Sequence, residues 1–202
     1  MLKPRAVVFD VGHVLFDWDP RFLYEKIIGD RDERAWFLAN VVTREWHFQH
    51  DAGRPFAETS VELITRFPDQ ADRIRAFATR WNETIPAAVP GMPDLVVDLD
   101  AAGVPLFALT NYSAEFWATW RPTIPLFDSF AGVVVSGEER MMKPAPEIYA
   151  LALARFGLAP GDGVFIDDRA DNVAAADAAG LIGHVFVDAA ETRAWLTELH
   201  LL

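Results

Sequence analysis

Cysteine is absent from this sequence of 202 residues, which excludes a disulfide framework, a thiolate metal site and a cysteine nucleophile together. Lysine is scarce: only Lys3, Lys26 and Lys143 occur. With 18 Lys and Arg against 30 Asp and Glu, the formal net charge is -12. Clustered positive charge of the kind that holds a phosphate backbone is missing, so nucleic acid is not an expected partner. The acidic excess reads as a solvated surface. No apolar run reaches the roughly 18 to 20 residues of a bilayer span, and MLKPRAVVFD has neither the apolar region nor the cleavage site of a secretory signal. A cytoplasmic protein with no membrane partner is expected.

What is present is a large apolar fraction, 51%, enough for a substantial core. Short apolar runs predict strands at 5–10, 104–109, 131–136, 163–167 and 184–187. Helical patterns lie between them at about 92–102, 113–121, 145–156 and 170–179. Alternating strand and helix is the pattern of a parallel sheet with helical crossovers, an α/β fold. Residues 20–85 break the alternation: PRFLYEKIIG, ERAWFLANVVTREWHFQH, FAETSVELITRF and ADRIRAFATRW each read as one amphipathic helix with no strand between them. The segment IPAAVPGMPD, rich in proline, returns the chain to the sheet.

Open parallel sheets collect ligands at the carboxyl ends of their strands. In VVFDVGHVLFD the first strand ends in Asp10, with Gly12 two places on. The second ends in Thr110-Asn111, the third leads to Lys143, and the fourth ends in Asp167-Asp168. A carboxylate, a hydroxyl, an ammonium and a carboxylate pair at successive strand ends are too regular for routine strand caps.

These residues, in FDVGHV, LTN, the lysine of KPAPEIY and IDDRADN, resemble the four motifs of the haloacid dehalogenase (HAD) superfamily, in order along the chain. The resemblance is to a branch whose first motif is DxG, which includes glucose-1-phosphatase-like proteins and relatives of the N-terminal phosphatase domain of epoxide hydrolases. It implies a HAD-like Rossmannoid core, residues 1–16 and 90–202, with a small all-helical cap domain, residues 17–89, inserted after the first strand. It also implies a phosphomonoester hydrolase acting on a small phosphorylated metabolite, a sugar phosphate being the first expectation, as a monomer or homodimer. Asp10 is the expected nucleophile, forming an aspartyl-phosphate that water cleaves. Mg2+, which prefers oxygen ligands, is expected on Asp10, the main-chain carbonyl of Gly12 and Asp168, with Asp167 a direct or water-mediated ligand. Lys143 supplies positive charge, and the Thr110 hydroxyl and the amide of Asn111 donate to phosphate oxygens.

Many phosphatases of this family carry an acid–base aspartate where this chain has Gly12. His13, His47, His50 and Asp51 are the candidates to replace it. Asn172 is expected only to cap or brace the following helix, Asp171 is divided between a helix-start and a near-metal role, and Glu138 and Glu139 are expected to be solvated. Trp46, Phe48, Trp81, Phe116, Trp117 and Trp120 are ambiguous between core and cleft. Two alternatives are dehalogenation, since a halide leaves without a proton, and a catalytically weak chain that binds a phosphorylated ligand. The retained Asp167-Asp168 pair weighs against the first, and the retained nucleophile and lysine against the second.

Overall fold

The computed structural model describes residues 4–202, so residues 1–3 of the expected core segment lie outside the described residues. The chain runs through β1 (Ala6–Phe9), α1 (Pro20–Tyr24), α2 (Arg31–Asn40), α3 (Arg44–Asp51), α4 (Phe56–Arg66), α5 (Ala71–Thr79), α6 (Met92–Ala101), β2 (Leu106–Thr110), α7 (Ala114–Trp120) and β3 (Phe130–Val135). It continues through α8 (Ser136–Glu139), α9 (Pro146–Phe156), β4 (Gly163–Asp167), α10 (Ala170–Ala179), β5 (Ile182–Val185) and α11 (Ala189–Glu198). Among the described residues the strands form one parallel sheet in the order β3-β2-β1-β4-β5. The first strand is therefore central, and its end lies between those of β2 and β4.

A central parallel strand is covered on both faces, which is why AVVF is apolar without alternation and buried throughout. Side chains still alternate between faces. Val7 and Phe9 join a core with α6, α11 and the helices of residues 20–84, whereas Ala6 and Val8 face α9 and α10. The larger core thus runs without a break from the sheet into the helical segment.

Two expectations on local structure are corrected. The segment 33–50 is not one helix: α2 stops at Asn40, and Thr43 starts α3 by accepting a hydrogen bond from the Trp46 N–H at 3.2 Å. The side-chain period persists across the break, but a capping threonine supplies an acceptor that competes with continued helix. The last strand is Ile182–Val185 rather than 184–187. It pairs from Val164↔Ile182 to Asp167↔Val185, and past Asp167 there is no partner strand, which leaves Val187 70% exposed despite its apolar neighbours.

One junction joins the helical segment to the sheet. The Ser136 hydroxyl donates to the Asp51 carbonyl at 2.7 Å and accepts from the Tyr112 N–H at 2.9 Å. Beside it a Cβ on Gly137 would stand 2.5 Å from the Ala114 nitrogen and 2.8 Å from the Tyr112 carbonyl oxygen, both main chain. Gly137→Ala should accordingly lower stability by about 1–3 kcal/mol through overpacking. Gly29→Ala, whose added carbon meets nothing within 4 Å, should stay within about 0.5 kcal/mol of the parent. Urea denaturation of the two variants checks the contrast.

Candidate active site

The strand ends bring Asp10, Lys143, Asp167 and Asp168 together. Lys143, on the loop between α8 and α9, is 3% exposed, and its Nζ lies 2.9 Å from Asp10 Oδ2 and 2.6 Å from Asp167 Oδ2. Burial works against its ammonium, but the two carboxylates beside it win, and its pKa is held above that of an ordinary lysine. Asp10 is buried. Its Oδ1 accepts from the Val11 N–H at 2.7 Å, and its main-chain N–H donates to the Ile166 carbonyl at 2.8 Å, which fixes the strand end against β4. Burial pushes the Asp10 carboxyl well up from the usual range; Lys143 opposes that push and Asp167 adds to it.

Asp167 is fully buried, and its carboxylate accepts four hydrogen bonds. They come from Lys143 Nζ, the Arg169 N–H at 2.9 Å, and Asn172 Nδ2 at 2.9 and 3.0 Å. A carboxylate has about four acceptor directions, so this one is filled by its neighbours. Asn172 therefore does more than brace a helix: from the first turn of α10 it orients Asp167, while Arg169 occupies the cap position without a side-chain capping bond. Asp171 is a helix-start carboxylate, paired with Arg169 at 2.6 Å and outside the carboxylate group. The Asn111 carboxamide is committed at both ends, donating to the Lys143 carbonyl at 3.0 Å and accepting from the Lys143 N–H at 2.8 Å. That side chain positions the lysine, uses one of its two Nδ2 N–H groups to do so, and lines the cavity. Thr110 is buried at the end of β2. Glu138 is exposed as expected, and Glu139 pairs with Arg155.

The donor set suits a hard divalent cation. Carboxylate oxygens of Asp10, Asp167 and Asp168 lie within 4.8 Å of one another, and one ammonium against three carboxylates leaves negative charge uncompensated. Burial, together with Asp167, raises the pKa of Asp168 as well, so the charged forms need a further positive partner. Of the three, Asp10 and Asp168 face the cavity.

That cavity, about 280 Å³, is floored by Asp10, Lys143 and Asp168 and walled by aromatic side chains. Trp18, His47 and Trp81 form a triangle of rings with centroid separations of 4.7, 5.5 and 6.0 Å, and Phe116 stacks on Trp81 at 4.4 Å. Trp18, Phe48, Trp81 and Trp120 reach the cavity, whereas Trp46, Phe116 and Trp117 belong to the core. Trp18, Arg44 and Tyr112, which also line it, went unmarked in the sequence, although Trp18 and Tyr112 lie close to the first and second motifs. His50 is turned away to Thr59 Oγ1 at 2.7 Å, while His13, His47 and Asp51 line the cavity. Gly12 has an ordinary backbone conformation and open space around it; the left-handed residue of this turn is His13, with φ 61°.

A family model described as haloacid dehalogenase-like hydrolase matches residues 4–180. The sesquiterpene phosphatase astK of Aspergillus oryzae is 27% identical over 96% of both chains. Phosphoglycolate phosphatase of Escherichia coli is 31% identical over 45% of this chain and 36% of its own. Among solved structures, the magnesium complex of a HAD-family enzyme from Bacteroides thetaiotaomicron superposes with a TM-score of 0.73 at 22% identity, covering 96% of this chain and 98% of that one. Among the described residues no helix is long and apolar enough to cross a membrane.

The bonding of Asp167 sets an expectation for stability. Asp167→Asn removes one of two charges holding a buried ammonium and sets an amide against Asn172, and should cost about 3–5 kcal/mol. A loss below about 1 kcal/mol in denaturant titration would show that Asp10 alone carries Lys143.

Proposed function

The chain belongs to the haloacid dehalogenase-like hydrolases, and from that premise we propose that it is a magnesium-dependent phosphomonoester hydrolase working through an aspartyl-phosphate on Asp10. The observation that carries this is the grouping of Asp10, Lys143 and Asp168 on the floor of one cavity. We further propose that residues 17–89 act as a cap over a core of residues 1–16 and 90–202, because Trp18, His47, Phe48 and Trp81 from that segment wall the cavity.

In this reading an Asp10 carboxylate oxygen attacks phosphorus while Lys143, locked by Asp167 and by the Asn111 carboxamide, sets a fixed positive charge beside the nucleophile and the phosphate oxygens. The register that pairs Phe9 with Ala108 brings Thr110 alongside the Asp10 strand end, where its hydroxyl can donate to a phosphate oxygen. Asp10, the Gly12 carbonyl and Asp168 would hold magnesium, which when bound offsets the repulsion between a carboxylate and a phosphate dianion. Asp167, its acceptor directions filled, serves by orienting Lys143.

The walls bear on the substrate. Apart from Arg44, His47, Asp51 and Tyr112 they are mainly indole, phenyl and aliphatic surface, which gains by covering hydrocarbon. The substrate is therefore the phosphate ester of a largely apolar alcohol instead of a sugar phosphate, a reading that the name of the Aspergillus relative also supports.

Three outcomes test this. Asp10→Asn should abolish hydrolysis of 4-nitrophenyl phosphate while leaving the fold intact; turnover above about a tenth of the parent removes Asp10 as nucleophile. Chelation should stop the reaction, and Asp168→Ala should raise the magnesium requirement far more than the substrate KM; activity indifferent to chelation would favour dehalogenation. Along a series of n-alkyl phosphates, kcat/KM should rise about fourfold per methylene until the cavity is filled, the value expected from about 0.8 kcal/mol per buried methylene.

A further inference from the structure

Gly12 leaves the leaving group without the carboxyl that would protonate it, and the cavity contains one other carboxyl outside the metal group. We propose that Asp51, at the carboxyl end of α3, is the general acid and base of the reaction, delivering from the helical segment the proton transfer that Gly12 cannot provide. This rests on the phosphatase reading. Asp51 lines the same cavity as Asp10 and Gly12, yet is only 3% exposed. Its main chain is anchored by Ser136, and its Oδ2 lies 3.4 Å from His47 Nε2. Its Oδ1 is buried without a hydrogen-bond partner among the described residues, an expensive arrangement for a group with only a structural task.

The other candidates fit less well. His50 is turned to Thr59, and His13 is exposed. His47 packs in one three-ring cluster with Trp18 and Trp81; burial, with a push from Arg44, lowers its pKa to about 3, so near neutral pH it carries no imidazolium proton to give. Burial has the opposite effect on Asp51, raising it to about 7 against the pull of the Ser113 N–H. The groups next to Asp51 are His47 on its own helix and Tyr112 and Ser113 after β2; Arg44, Asp10 and Lys143 line the same cavity.

The chemistry balances. As Asp10 bonds to phosphorus, the ester P–O bond breaks and the departing oxygen takes the Asp51 proton, giving the alcohol, an Asp10 acyl phosphate and an Asp51 carboxylate. Water then gives a proton to Asp51 while its oxygen attacks phosphorus. The P–O bond to Asp10 breaks, hydrogen phosphate leaves, and both side chains return to their starting states.

The test separates formation of the aspartyl-phosphate from its hydrolysis by rapid quench with magnesium present. A 4-nitrophenolate leaves without protonation, so Asp51→Asn should keep the phosphorylation burst from 4-nitrophenyl phosphate within about threefold of the parent. The same variant should slow phosphorylation by n-hexyl phosphate on the order of 10²-fold, and intermediate hydrolysis similarly, for want of a base. Adding Gly12→Asp to Asp51→Asn should recover phosphorylation by hexyl phosphate, a response that a structural defect at Asp51 would not give. The unaltered protein offers a check that needs no variant: the hexyl phosphate burst rate should fall as pH rises through about 7, where Asp51 loses its proton, while the 4-nitrophenyl burst does not. Equal slowing of both substrates by Asp51→Asn, or no slowing of either, overturns the assignment to Asp51 alone. Failure of the unaltered protein to hydrolyse 4-nitrophenyl phosphate with magnesium present overturns the phosphatase reading and Asp51 with it.

Discussion

The site is organised around one buried ammonium held between two buried carboxylates. Taking Lys143 out of water is costly, and so is burying Asp10 and Asp167. Their mutual attraction offsets much of that cost only because the geometry is close and the remaining acceptor positions on Asp167 are filled. Such an arrangement is weak evidence of net stabilisation, since well-packed apolar residues commonly do as well. Its value lies in placing a charge that cannot wander. The long lysine side chain is immobilised at its tip by two carboxylates and at its root by the Asn111 carboxamide, so its field at Asp10 needs no reorganisation when charge shifts.

The rest of the chain can be understood as supplying the two halves of this chamber from different sources. The sheet contributes charge, because parallel strands with apolar interiors must end where polar groups can be met, and β1 at the centre has neighbours on both sides. The segment between β1 and β2 contributes the rings of Trp18, His47 and Trp81, packed in mutual contact, and Phe116 of α7 stacks on Trp81. In the proposed reaction, charge at the floor and hydrocarbon above it divide recognition: the anion is held from one side and the organic group is covered from the other.

Much of this was legible in the sequence. Strand interiors announce themselves as β-branched runs, and the polar residue closing each run is where the ligand site lies, so Asp10, Lys143 and Asp168 could be read from pattern. What escaped was directional. Nothing in LTN tells that the Asn111 carboxamide pairs with the Lys143 main chain, because that depends on a loop more than thirty residues later. The role of Asn172 was similarly hidden, since a helix-start asparagine looks like a cap whether or not a carboxylate lies beneath it. The break at Val41–Thr43 was missed because helical periodicity continues through it, and β5 was displaced because an apolar run outlasted the strand it pairs with. Among His13, His47, His50 and Asp51 only packing could discriminate, because burial acts oppositely on a histidine and an aspartate.

The open space around Gly12 carries a consequence for descent. Its backbone conformation is one that any residue adopts, and no atom stands where a side chain would grow, so folding does not protect this glycine. Every glycine codon that ends in a pyrimidine becomes an aspartate codon through a single base change. Where its own codon is one of these, the chain stands a single nucleotide from carrying a carboxyl in the turn that follows its central strand.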